Sequence, residues 1–220
     1  PLSDIEVAQI AGRAGRYTKS GYFGSTLGAK FTNLEGVENV QAHRFESVKK
    51  IFWRNHLLSF KSIYELIQSL KQQPTNHKLI LKKDAEDQKF LFSILNNKKL
   101  SFLPNSPESL QQLWDVCRIP DYQSISEEKH ISLLIEIFTE LKNHNWLLTD
   151  LFLKKNVERL QDYSGSIDDL IYTLNETRIW LYITNQKQWI PNNSWIEQVK
   201  SIEDKLSEEI HQNLMQKFVD

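Results

Sequence analysis

Apolar residues recur at every third or fourth position along most of this chain, which is the spacing of one face of an α-helix. The clearest case follows Ser126, where five residues form a single apolar stripe: Ile131, Leu134, Ile135, Phe138 and Leu141. Similar spacing predicts helices from Ser59 to before Pro74, from a cap at Asp84 through Leu95, after Ser106-Pro107, and over about 149–162, 167–185 and 194–218. The connections between them are short, so we expect a compact helical bundle.

The N-terminal segment follows a different pattern. Ser3-Asp4-Ile5-Glu6 has the spacing of a capping box and predicts a short helix that runs through Gln9. The run from Gly21 to Gly28 is rich in β-prone residues and bounded by glycines, which predicts a strand. Strand gives way to helix at around residues 28–36. The fold class that we expect is therefore mainly α, with a helical bundle following a small α/β segment.

Composition narrows the classes of function. The formal net charge of the 220 residues is −1, so the chain as a whole does not attract nucleic acid, and any such contact needs a local basic patch. The single cysteine, Cys117, excludes an intrachain disulfide and is expected to be a core residue in a reducing compartment. No apolar stretch is long enough to span a bilayer, so no membrane partner is expected. The six histidines lack metal-ligand spacing, so no metal site is predicted.

The segment from Gln9 to Arg16 has the residue types that binding and hydrolysis of a nucleoside triphosphate require. Arg13 and Arg16 would project from one face of a helical turn, where both guanidinium groups could reach a single phosphate. Gly12 and Gly15 would keep that surface open, because they carry no side chain that could block a nucleotide. Gln9, one turn earlier, could orient the attacking water or the γ-phosphate. The alternative interpretation is an arginine-glycine loop that makes only surface ion pairs.

This segment, Gln-Ile-Ala-Gly-Arg-Ala-Gly-Arg, resembles the Q-x-x-G-R-x-G-R element that closes the ATP site of superfamily two helicases. Together with the glycine-bounded Tyr-Phe-Gly run after it, the segment is similar to the C-terminal part of DExH-type RNA helicases, namely the RNA helicase of the mitochondrial degradosome and its bacterial relatives. Four later segments and one tryptophan carry the same resemblance: 43–45, 52–55, 113–121, 178–185 and Trp189.

The resemblance implies a division of the chain at residue 36. Residues 1–36 would be the C-terminal end of the second RecA-like domain, and residues 37–220 an accessory helical region. ATP and Mg²⁺ would be bound mainly by a first RecA-like domain, because the chain contains neither a G-x-x-x-x-G-K-[S/T] loop nor a D-E-x-H motif. Glu127-Glu128-Lys129-His130 resembles that acidic motif only superficially and is expected to be a capped helix start. Since the sequence begins at Pro1, we expect a C-terminal piece of a longer helicase that is inactive alone.

A basic and aromatic stretch predicts the contact with nucleic acid. Lys49, Lys50, Trp53 and Arg54 mix cations and an aromatic ring over a few positions, as sites for single strands do. The alternative is a helix that packs its aromatic residues and leaves its lysines in solvent. The resemblance implies single-stranded RNA, or DNA, held in a channel to which the bundle contributes. It also implies a surface for a ribonuclease partner and a location in the bacterial cytoplasm, with the mitochondrial matrix as the alternative.

A competing hypothesis belongs to a different class of function. The chain would then be a non-enzymatic helical module that docks proteins or RNA, and the Gly-Arg loop would be merely structural. Nucleotide-binding motifs encoded upstream in the parent gene would favour the helicase, whereas an open reading frame beginning near Pro1 would favour the module.

Overall fold

The computed structural model describes residues 3–14, 21–22, 24, 34–45, 47–97, 104–122 and 126–219. Helices account for 61% of the described residues and strands for 3%, so the prediction of a mainly α chain is confirmed. The chain divides into two compact units. The first consists of residues 1–51 and 76–79, and the second of residues 52–75 and 80–220.

The first unit contains two short helices, α1 (Asp4–Ala11) and α2 (Leu34–Gln41), which pack against each other. The predicted capping box at the start of α1 is confirmed. The backbone N–H of Ser3 donates to the Glu6 carboxylate at 2.8 Å, and the Ser3 hydroxyl accepts from the Glu6 N–H at 3.4 Å. The hydrogen bonds from the backbone and side chain of Ser3 hold the pKa of Glu6 below its usual range.

The strand predicted from Gly21 to Gly28 lies mostly outside the described residues. Gly21, Tyr22 and Gly24 are described, and none of the three is in a strand. The predicted domain boundary after residue 36 falls inside α2, whereas the first compact unit extends to Ile51. The assignment of residues 1–36 to a RecA-like domain stays a prediction.

The second unit is a bundle built around one hydrophobic core. Its largest fully buried side chains are Trp180, Trp189 and Phe138. The predicted stripe after Ser126 is buried throughout, which confirms it. The helices are α3 (Ile63–Leu70), α4 (Glu86–Leu95), α5 (Pro107–Cys117), α6 (Glu127–Asn143), α7 (Asp150–Glu158) with a 3₁₀ turn at Arg159–Gln161, α8 (Ile167–Thr184) and α9 (Ser194–Val219).

Local capping explains most of these helix starts. The Ser106 hydroxyl accepts from the Ser109 N–H at 3.1 Å, and Pro107 occupies the first turn of α5 as predicted. Ser166 and Asp169 form a reciprocal capping box at the start of α8. This reciprocal bonding satisfies two backbone N–H groups that the helix itself leaves without partners.

Two predicted helix starts are wrong. α3 begins after Ser62 rather than Ser59, because the Ser62 hydroxyl accepts from the Glu65 N–H at 3.1 Å and caps the helix. The Ser59 hydroxyl instead donates to the Glu65 carboxylate at 2.7 Å. α4 begins after Ala85, one residue beyond the predicted cap at Asp84, and Ala85 provides no side-chain cap. Ala85 is buried, which indicates that packing sets this boundary.

A two-stranded sheet, which the sequence did not predict, is formed by β1 (Ile51–Trp53) and β2 (Leu79–Leu81). The Ile51 N–H donates to the Lys78 carbonyl, and the Lys82 N–H donates to the Trp53 carbonyl, both at 2.9 Å. Because the bonded positions advance along both strands together, the strands are parallel, and α3 is part of the connection between them.

Candidate nucleotide-binding and nucleic-acid-binding residues

The described part of the arginine segment continues directly from α1. Gly12 caps the helix, and its N–H donates to the Ala8 carbonyl at 2.9 Å. The turn continues beyond it, since the Arg13 N–H donates to Ile10 at 3.1 Å and the Ala14 N–H donates to Ala11 at 3.0 Å. Arg13 is exposed on this turn.

Gln9 is exposed within the last turn of α1, four residues before Arg13. Gly15 and Arg16 lie outside the described residues. The predicted convergence of Arg13 and Arg16 on a single phosphate group therefore stays a prediction, as does the role of Gly15.

The backbone of Gly12 does not itself require glycine. Its φ of −62° lies in the right-handed helical region that every residue adopts. A Cβ built at this position would meet only backbone carbonyl oxygens, those of Ala8 at 3.3 Å and Gln9 at 3.8 Å. Local conformation therefore does not explain the glycine, and the prediction that it leaves room for a nucleotide remains the functional account of it.

The helix dipole determines which groups could bind an anion here. Arg13 follows the C-terminal end of α1, where the aligned peptide dipoles leave a partial negative charge. That end stabilises a cationic side chain and repels a phosphate. Binding of a phosphate at this position would therefore depend on the guanidinium groups rather than on the helix end, so removal of an arginine should have a large effect.

Of the basic and aromatic stretch, only Trp53 lies in β1, and no residue of it is in the helix of the alternative interpretation. Lys49 and Lys50 precede β1 and have exposed side chains, and Trp53 ends the strand with its side chain half-buried. The sequence spacing of the basic and aromatic stretch predicts a surface that mixes cations with an aromatic ring. Phe52 and Trp53 point to opposite faces of the sheet, because successive residues of a strand do so. Lys49, Lys50 and Arg54 lie outside the strand.

Arg54 is engaged in an ion pair that sequence reasoning missed. Its Nη2 lies 2.8 Å from both carboxylate oxygens of Asp87, in the first turn of α4. The Asp87 side chain is mostly buried, and that of Arg54 is about a third exposed. The pair links the residue after β1 to the start of α4 and compensates the Arg54 charge. Arg54 therefore has a structural role as well as a charge.

Charged groups near this pair line a cleft of about 520 Å³ in the second unit. Its lining includes cations and anions together, among them Arg54, Lys82 and Asp87, so it has no single sign of charge. Cys117 is one of the lining residues and is buried, as predicted. Burial raises the pKa of the Cys117 thiol far above its usual range, so the side chain is a neutral core residue rather than a nucleophile.

The segment Glu127–His130 is the first turn of α6, which confirms its interpretation as a helix start, but the side chain of Ser126 makes no capping hydrogen bond. His130 is buried, with its Nε2 3.1 Å from the Ile119 carbonyl oxygen and its Nδ1 4.0 Å from the Asp121 carboxylate. Burial lowers the pKa of His130 despite Asp121, so the ring is neutral near pH 7. Within the described ranges, no group of three His, Cys, Asp or Glu side chains could hold a metal ion.

No protein-family model, curated protein or solved structure matches this chain. Among the helices that the structure describes, none is long and apolar enough to cross a membrane. The resemblance to helicases therefore rests on the quoted sequence segments alone.

Proposed function

We propose that this chain is the C-terminal part of an ATP-dependent RNA helicase, to which it contributes the arginine motif and an accessory helical region. The observation that carries the proposal is the Gln9–Arg16 segment. It begins within a capped helix and places Arg13, exposed, on the turn that follows Gly12. This arrangement leaves a guanidinium group accessible to a phosphate held by a second domain.

In the proposed mechanism, Arg13 and Arg16 donate hydrogen bonds to the γ-phosphoryl oxygens as negative charge spreads over them. Such contacts increase kcat by a factor of about 10³ to 10⁵ in other phosphoryl-transfer enzymes. Gln9 orients the attacking water or the γ-phosphate, and Gly12 and Gly15 leave space for the nucleotide. The proposal assigns the phosphate cradle and the Mg²⁺ ligands to a first RecA-like domain, since the chain contains neither of their motifs.

The second unit would be the accessory region. The second unit has a single close-packed core, in which Trp180 and Trp189 are fully buried. Such a core would give the unit a rigid surface along which a single strand of RNA could move. A surface for a ribonuclease and a location in the bacterial cytoplasm are part of the same proposal, supported by the sequence resemblance alone.

The isolated chain is expected neither to hydrolyse ATP nor to unwind RNA. Phosphoryl transfer needs a phosphate cradle, a Mg²⁺ site and the arginines around one nucleotide, and exposed arginines alone are screened by solvent. Steady-state ATPase activity of the purified chain, with and without single-stranded RNA, measures this. Turnover that disappears in an Arg16→Ala variant would reveal a complete nucleotide site within the chain and contradict the proposal.

Lys49 and Lys50 are expected to contribute to RNA binding through their charge. Changing both to Gln should weaken binding and flatten its salt dependence, by about 0.7 in the log-log slope for each phosphate that is no longer neutralised. Arg54 is left unchanged, because its pair with Asp87 would confound binding with stability. The slope is measured by fluorescence anisotropy over a range of salt concentrations.

The matched control changes Lys154 and Lys155 to Gln, which removes the same charge from two adjacent lysines of α7. This variant should keep the slope of the unmodified chain. An equal change in both double variants would show that Lys49 and Lys50 act only through net charge.

The second candidate function is a non-enzymatic helical module that docks proteins or RNA. The self-contained core of the second unit favours it, because such a bundle can fold without a motor domain. Sequencing the parent gene upstream separates the two hypotheses. A phosphate-binding loop and an acidic metal motif there would support the helicase, and their absence would support the module.

A further inference from the structure

One face of the small parallel sheet presents an exposed aromatic ring beside a cation. The hydrogen bonds between the strands pair Trp53 with Leu81, so Phe52 and Ile80 lie next to each other on the opposite face. Phe52 is 69% exposed and Ile80 is 39% exposed. The Nζ of Lys82 lies 5.2 Å from the centroid of the Phe52 ring. These three residues, Phe52, Ile80 and Lys82, are called the sheet-face cluster below.

The contact between Lys82 and Phe52 gives this face its chemical character. Single exposed apolar residues are common on protein surfaces and need no explanation. Here the ammonium group holds the ring by a cation–π interaction, worth about 0.5–1 kcal/mol at an exposed site. The ring is thereby oriented while most of its surface stays accessible to solvent. The result is an exposed aromatic ring with a positive charge over it.

We propose that the sheet-face cluster is a binding site for single-stranded nucleic acid. The Phe52 ring stacks on a base, Ile80 extends the apolar surface beside it, and the Lys82 ammonium binds the adjoining phosphate. Stacking on an aromatic ring is worth about 1–3 kcal/mol per base and tolerates any sequence, because every base has a flat face. The inference rests on the proposed function only in taking that single strand to be RNA.

Charge and shape favour a nucleic acid over an acidic peptide at this site. A peptide that joins a sheet pairs with the backbone of an edge strand, whereas the groups presented here are side chains on the face. A nucleotide offers a flat ring and an anion in succession, which complements the ring and ammonium group. An acidic peptide would satisfy the charge of Lys82 and leave the Phe52 ring without a matching surface.

The inference changes which residues in and near the basic and aromatic stretch should contact the nucleic acid. Trp53 points to the face opposite Phe52 and is paired with the buried Leu81, so it is expected to support the sheet. Arg54 is held by Asp87. Phe52 and Lys82, rather than Trp53 and Arg54, are therefore the residues available to a ligand.

The test measures binding of a fluorescein-labelled oligouridylate to the purified chain by anisotropy at several salt concentrations. Phe52→Ala should raise the Kd about tenfold, whereas Phe52→Trp, which keeps a stacking surface, should restore binding. Lys82→Gln should reduce the salt slope by about 0.7, the value for one phosphate contact with a single strand.

Two matched controls remove similar groups elsewhere. Tyr64→Ala removes an aromatic side chain of α3 that is 71% exposed, and Lys83→Gln removes a neighbouring exposed lysine. Both variants should bind the oligouridylate as the unmodified chain does. Far-ultraviolet circular dichroism and thermal unfolding of every variant show whether it keeps the fold, and Phe52→Trp rescue separates loss of stacking from loss of structure.

The role of the sheet-face cluster as a nucleic-acid-binding site is refuted if the unmodified chain does not bind the oligouridylate. It is also refuted if the Phe52→Ala and Lys82→Gln variants bind as tightly as the controls. Binding of polyglutamate that is abolished in Phe52→Ala would assign the site to an acidic peptide and overturn the inference as well. None of these outcomes depends on Arg13 or Arg16. The ATPase measurements on those arginines therefore decide the helicase proposal separately.

Discussion

Replacing Arg13 or Arg16 with Ala should lower kcat for ATP by about 10² or more, in the polypeptide that joins this chain to the proposed first RecA-like domain. RNA binding should be largely unchanged, because the arginines act on the phosphoryl group and not on the strand. The large fall in kcat is expected because Arg13 lies beyond the C-terminal end of α1, where the helix itself offers no group that binds an anion. Steady-state ATPase activity with saturating RNA is the measurement.

Two further variants sharpen this test. Arg44→Ala removes an exposed arginine from the same unit and should leave kcat within about twofold of the unmodified protein, as surface changes away from a site usually do. Arg13→Lys keeps the charge but loses the two-pronged geometry of the guanidinium group, so its kcat should fall between those of Arg13→Ala and the unmodified protein. Near-normal turnover in both alanine variants would exclude the assignment of these arginines to the nucleotide site.

Phe138→Ala should destabilise the second unit by about 3–5 kcal/mol, the largest change in stability that we predict. Phe138 is fully buried in α6, and its ring centroid lies 6.2 Å from that of Trp146. Removing the ring leaves a cavity that the surrounding helices can only partly fill, because protein cores are closely packed. Urea denaturation of the chain, followed by tryptophan fluorescence and circular dichroism, measures the free energy of unfolding.

Leu151→Ala is the control for this prediction, since Leu151 lies on α7 and is 79% exposed. It should change the free energy of unfolding by no more than about 0.5 kcal/mol. Phe138→Leu keeps most of the apolar volume and should cost less than Phe138→Ala. Equal stabilities for Phe138→Ala and Leu151→Ala would contradict the described core.

The helices of this chain were predictable because their signals are local. Ser106 and Pro107 mark the start of α5 with a hydroxyl cap and a proline in the first turn, and Ser166 with Asp169 marks the start of α8. Each device acts within one turn of the helix, so neighbouring residues suffice to predict it. The apolar stripe of α6 was equally visible, because a helix buries residues at a fixed spacing.

The sheet was not predictable, because each of its strands has three residues and its partner lies far along the chain. A three-residue apolar run is compatible with either a strand or a helix. The choice between them depends on pairing between Trp53 and the segment around Leu81, which only the folded chain brings about. The start of α3 was ambiguous for a different reason, since Ser59 and Ser62 both precede its apolar residues and only the structure shows that Ser62 caps the helix.

The sequence alone determined which residues carry the candidate nucleotide chemistry, because Gln9, Arg13 and Arg16 are recognised by type and spacing within a single short segment. Tertiary structure decided the roles in the basic and aromatic stretch. It engaged Arg54 with Asp87, 33 residues away, and brought Lys82 over the exposed ring of Phe52. Charge and aromaticity can be read from a sequence, but whether a cation meets a carboxylate or a ring depends on contacts between distant parts of the chain.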